Sequence, residues 1–102
     1  MPWFIKIEKF TPKTLELSVE DRKVFIDQHK SWVKKLKAMG KRISSGYLVD
    51  QNKTPGGGGV LIIKADSYEQ AISIVHQDPM ISKGLVTWEL QEWIPIAGDF
   101  EE

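Results

Sequence analysis

An α+β fold is the class this sequence predicts, on three observations. Residues alternate between apolar and polar from Trp3 to Phe10, two helix-period segments each follow a serine cap, and further strand-like runs lie between and after them. At 102 residues with 41% hydrophobic side chains, the chain can build one core but not two, so a single domain over residues 1–102 is expected.

Each element follows from its own residues. Trp3, Ile5 and Ile7 point one way while Lys6 and Glu8 point the other, the period-two pattern of a strand. Thr11 to Ser18 contains Pro12 and no sustained period. Ser18 then precedes Glu20 and Asp21 as an N-cap precedes acidic first-turn residues. From Val19 to Met39 the apolar positions Phe25, Trp32, Leu36 and Met39 recur at spacings of seven, four and three. That predicts an amphipathic helix of about 20 residues, roughly 30 Å long, which Gly40 ends by taking positive φ. His29 falls between Phe25 and Trp32 on the same stripe and should face inward.

Arg42 to Asp50 reads as a second strand, and Gln51 to Gly59 as a glycine-rich, mobile hairpin loop. The four glycines are not a phosphate-binding loop: that motif needs a lysine, a serine or threonine and a helix, whereas Gly59 leads straight into Val60-Leu61-Ile62-Ile63. Val60 to Ala65 is apolar on both faces and so requires two covers. Helices supply one; the other is expected to be the sheet of an identical subunit, giving a homodimer. Asp66-Ser67 caps a second helix with the stripe Tyr68, Ala71, Ile72 and Val75, which Pro79 stops, leaving Gln77 and Asp78 in its last turn. Val86 to Ile96 is the last strand, with Val86, Trp88, Leu90, Ile94 and Ile96 on one side. The order β-α-β-β-α-β is that of ferredoxin-like folds, and the second apolar face makes it a dimeric α+β barrel.

Composition removes several functions. Fourteen basic residues balance fourteen acidic ones, so no global field attracts nucleic acid or an anionic membrane. The local run Lys34, Lys35, Lys37, Lys41 and Arg42 reads as a solvated helix face that complements the helix dipole. With no cysteine, disulfides and thiolate chemistry are excluded. No segment has the apolar length of a signal peptide or membrane span, so the expected location is cytoplasmic. The two histidines, His29 and His76, have no spacing that would assemble a metal site, and no cofactor is expected. His76 should be exposed. Ser44 and Ser45 lack a nucleophile motif. The acidic end, Asp99 to Glu102, reads as a solvated tail.

His29 and Asp78 are the candidate site. From the residues alone two meanings stay open, since a histidine on an apolar stripe can be a core residue bonded to a carbonyl, and an aspartate before proline can simply end a helix.

The series His29, Leu36, Gly40 and Gly46, followed by Val60, Ala65, Ser67, Glu69, Ala71, Asp78-Pro79, Gly84 and Val86, resembles the YciI-like (YCII-related) family. The resemblance spans nearly the whole chain, weakest over residues 11–24 and 50–58, and departs where Tyr47 replaces a proline that family members often carry. It implies that His29 and Asp78 form the active-site dyad, the carboxylate fixing the imidazole tautomer and leaving the other nitrogen as general base or acid. Trp32, Ser45 and Gly46 are expected to line the substrate. The implied activity is cofactor-independent proton transfer on a small aromatic or carbonyl compound, of lyase or isomerase type. The alternatives are a dimeric module that binds a small ligand without turning it over, and a purely structural dimer.

Overall fold

The computed structural model describes residues 1–100 of the chain. Eight elements follow in order: β1 (Trp3–Phe10), α1 (Pro12–Glu16), α2 (Val19–Ala38), β2 (Ile43–Val49), β3 (Pro55–Lys64), α3 (Tyr68–Val75), α4 (Pro79–Ser82) and β4 (Val86–Trp93). The strands form one antiparallel sheet in the order β2-β3-β1-β4, the ferredoxin-like α+β arrangement. The core lies between the sheet and the helices and contains Phe4, Leu36, Ile43, Leu61, Ile63, Ala65, Ala71, Ile74, Val75 and Leu90.

The helix ends obey local chemistry. Ser18 accepts a hydrogen bond from Asp21 N at 3.0 Å, and α2 closes with Gly40 at φ 89° while Lys41 N donates to Leu36 O at 3.0 Å. That is a glycine C-cap of the Schellman type, which returns the chain sharply into β2. Ser67 caps α3 through Gln70 N at 3.1 Å.

Five expectations need correction. The glycine run is strand, not loop: β3 begins at Pro55, and Gly58 and Gly59 pair with Lys9 and Glu8 of β1. The turn is confined to residues 50–54, where the Asp50 carboxylate accepts from Asn52 N at 2.8 Å and Thr54 N at 3.0 Å. Pairing with β1, and for Gly59 with β2 as well, draws Gly58 and Gly59 into the ladder against their weak intrinsic preference, while Gly57 takes φ 83° where the β2–β3 register shifts. Second, residues 12–16 form the short helix α1, capped by Thr11 and pinned where Thr14 Oγ1 donates to Leu85 O at 2.7 Å. Third, α3 ends at Val75, so Asp78 lies beyond it and caps α4 instead. Fourth, Met39 is exposed, because it caps α2 rather than continuing its stripe. Fifth, β4 stops at Trp93, ahead of Pro95, and leaves Ile94 and Ile96 exposed.

The sheet's other face carries Trp3, Ile5 and Ile7 with Val60 and Ile62, as the alternation requires. Trp3 is buried there, against Phe100 at 4.9 Å and beneath the cations of Arg42 and Lys64. Of the expected acidic tail, Phe100 therefore packs back on the sheet, and residues 101–102 lie outside the described residues. Among the described residues, no helix is long and apolar enough to cross a membrane.

Candidate functional site

Four elements converge at one place: the N-terminus of α4, the middle of α2, and strands β1 and β2. Asp78 stands before Pro79, where the proline ring favours extended backbone, and its φ of −61° and ψ of 124° let the carboxylate turn back and accept from Met80 N at 3.0 Å. That bond fixes the side chain. His29 projects from the middle of α2, and its Nδ1 lies 2.9 Å from Asp78 Oδ1. Lys6 projects from the central strand β1, and its Nζ donates to Asp78 Oδ2 at 2.7 Å and pairs with Glu8 Oε1 at 2.6 Å. On the edge strand β2, Ser45 Oγ lies 2.7 Å from His29 Nε2. Five side chains thus form one continuous chain: Glu8, Lys6, Asp78, His29 and Ser45.

Burial is graded along this chain. The side chains of Lys6 and Asp78 are 0% exposed, those of Glu8 and His29 are 12% and 14% exposed, and Ser45 is open to solvent. Burial alone pushes the Asp78 carboxyl up. The hydrogen bond from His29 and the charge and hydrogen bond of Lys6 outweigh that effect and hold Asp78 below its ordinary value of 3.8.

An ionised carboxylate only accepts hydrogen bonds, so Nδ1 of His29 carries the proton toward Asp78. In the neutral imidazole Nε2 then has a free lone pair, and the Ser45 hydroxyl donates to it. This arrangement can take a proton at Nε2 and return it, with Asp78 fixing the tautomer and stabilising the imidazolium.

The two residues separated by 49 positions in sequence are therefore hydrogen-bonded neighbours. Trp32 stands one turn from His29, ring centroids 5.8 Å apart, and its Nε1 is a buried donor with no hydrogen-bond partner among the described residues. It borders a shallow hollow of about 370 Å³ shared with Asp27, Gln28, Ser31 and Lys35, which does not include His29. Gly46 follows Ser45 on β2, so a side chain there would point to the opposite face of the sheet, and a Cβ would meet nothing within 4 Å. His76 is exposed, with its ring against Trp88 at 5.4 Å. Among the described residues, no cluster of three or more potential ligands could hold a metal ion.

Lys6 and Glu8 are the site residues that sequence reasoning missed. Their charges mark them as a solvent-facing side of β1, yet they lie on the helix-covered side. A signal was available: Phe4 and Phe10 share their parity, so an aromatic ring flanks the two charges at each end of the strand.

Fold and site together define a small ferredoxin-like α+β protein with a buried, lysine-backed His–Asp pair. The YCII-related domain matches residues 3–94, and the chain belongs to that family. No curated protein matches it in sequence. Among solved structures it is similar to the 5-chloro-2-hydroxyhydroquinone dehydrochlorinase TftG from Burkholderia phenoliruptrix AC1100, in complex with 2,5-dihydroxybenzoquinone. The identity is 24%, over 90% of this chain and 93% of that one, with a TM-score of 0.67. The de novo designed protein Ferredog-Diesel is similar at 12% identity, covering 89% of this chain and 84% of its own, with a TM-score of 0.57. At3g17210 from Arabidopsis thaliana follows at 11% identity, 98% and 100% coverage, and a TM-score of 0.55. Identities this low carry the fold, and a designed protein among them underlines that fold alone assigns no chemistry.

Proposed function

We propose that this chain is a cofactor-independent acid–base enzyme of lyase or isomerase type, acting on a small aromatic or carbonyl compound. His29 is the base, Asp78 orients it, and Ser45, Gly46 and Trp32 border the substrate. One observation carries the proposal: Nδ1 of His29 is fixed by a buried carboxylate while Nε2 is directed to an exposed hydroxyl. That polarity is what proton transfer to an incoming molecule needs.

Family membership and the likeness to TftG support the substrate class. In an elimination, Nε2 would take a proton from a ring hydroxyl or from carbon next to a carbonyl. The electron pair of that bond shifts into the ring or the new double bond, and the leaving group departs as an anion with its own pair. The imidazolium then releases its proton to solvent, so the sum is loss of one acid molecule. An isomerisation uses the same proton, returned to a different atom.

The test is release of chloride from 5-chloro-2-hydroxyhydroquinone and a panel of small halogenated phenols, by the native protein and by His29→Gln. Turnover that needs His29 is the expected result. Binding that survives the substitution, with no product from any compound, supports instead a ligand-holding module, an alternative favoured by the shallow relief: neither hollow, of about 370 and 330 Å³, includes His29.

A homodimer in the cytoplasm belongs to the same proposal. Ile5, Ile7, Val60 and Ile62 form an apolar strip on the face of the sheet that no helix covers, and a second copy would bury it. Sedimentation at micromolar concentration is expected to give twice the chain mass, and Ile62→Lys to shift it toward the monomer. A native monomer would remove this part of the proposal.

A further inference from the structure

Lys6 has no place in the family resemblance and none in the proton transfer just described, yet it is the most completely enclosed cation of the site. Its side chain is 0% exposed, on a central strand, with one carboxylate at 2.7 Å and another at 2.6 Å. A buried ammonium is costly unless paired, and one carboxylate is enough to balance its charge. Here the single cation is divided between Asp78, which holds His29, and Glu8, which does not touch it.

We infer that Lys6 is a positioning residue that sets the protonation of the His29–Asp78 pair, and that Glu8 tunes it by drawing part of the Lys6 charge away. The inference rests on the acid–base reading of His29, but makes a claim that is measurable without turnover.

The electrostatics run in one direction. Protonating the pair, whichever atom holds the proton, adds positive charge within a few ångströms of the Lys6 ammonium. Lys6 therefore opposes proton uptake and favours the neutral imidazole with a free Nε2. Glu8, bonded to the far side of Lys6, partly cancels that opposition. Lys83, at the end of α4, lies 5.3 Å over the ring of Phe25, one turn before His29, and does not touch the pair. Among the described residues Lys83 forms no ion pair with a carboxylate. Ser45, the remaining contact of His29, carries no charge.

Removing Lys6 should thus let the pair take up its proton at higher pH, and removing Glu8 at lower pH. The two effects are opposite in sign. Loss of packing alone would not move a titration in opposite directions for the two members of one ion pair.

The experiment is an NMR titration of the His29 ring in the native protein, Lys6→Met and Glu8→Gln, with imidazole nitrogen shifts reporting where the proton sits. Lys6→Met should raise the midpoint of the pair by about 1 unit or more, the scale on which a charge within 4–6 Å acts, and Glu8→Gln should lower it by a smaller amount. Midpoints unchanged within about 0.3 unit in both variants, or shifts of the same sign, would overturn the inference. Should Lys6→Met fail to fold with two carboxylates left beside it, Glu8→Gln decides alone: its midpoint falls or the inference is wrong. Turnover is scored separately. If the titrations behave as stated and no substrate is processed, the tuning stands and the enzymatic proposal fails; if turnover needs His29 while the midpoints stay fixed, the reverse holds.

Discussion

Replacing His29 by glutamine is expected to lower turnover by about 10²–10⁴-fold, the usual worth of a positioned general acid–base, while leaving a folded protein. Glutamine can still donate one amide hydrogen to Asp78, so the buried carboxylate keeps a partner and the stability loss should stay near 1 kcal/mol, the net value of a typical hydrogen bond. What disappears is the lone pair at Nε2. Rate and stability should therefore separate widely. A rate loss that only tracks unfolding, measured by chemical denaturation of the same variant, would make His29 a structural residue that happens to face Ser45.

Asp78→Ala is expected to produce the largest stability loss of any single change at the site, about 3 kcal/mol or more by chemical denaturation. Removing one member of a buried ion pair typically costs ~3–5 kcal/mol, because it leaves an uncompensated charge behind. Here the cost should lie toward the low end, since Lys6 retains Glu8 at 2.6 Å. Loss of the α4 cap adds to it, as Met80 N would have no acceptor. The same residue also makes stability depend on pH. Its folded carboxyl is held below the ordinary value of 3.8, so its contribution is present above that value and is lost as pH falls through the depressed one. The stability gap between the native protein and Asp78→Asn should hence be constant near neutrality and narrow progressively below about pH 4. A gap independent of pH down to acid unfolding would mean that the charge of Asp78 contributes nothing.

The elements with a strong local signal were legible in the sequence. Ser18 and Gly40 bracket α2 because caps act within one turn and need no tertiary partner, and Ser67 opens α3 for the same reason. The glycine run was misread because its strand character comes from β1 and β2 on either side, which local composition cannot report. The site divides in the same way. His29 could be placed from its stripe, and Asp78 from the family pattern around Pro79, but Lys6 could not be found by polarity. A charge normally marks the wet side of a strand, and that rule fails where a carboxylate from elsewhere, Asp78, joins Glu8 of the same strand to neutralise it. Asp78 approaches Lys6 from 72 positions away, a separation no window along the chain can span.

The central claim is that a small molecule meets the chain at Nε2 of His29, between α2 and the edge strand β2. Its most direct test is the mapping of amide, indole and imidazole NMR shifts while 2,5-dihydroxybenzoquinone is added to the native protein. Perturbations should centre on the His29 ring, Ser45, Gly46 and the Trp32 indole, and weaken in His29→Gln. Shifts confined to the open face around Trp3, Ile5 and Ile62, or identical in the two proteins, would contradict it.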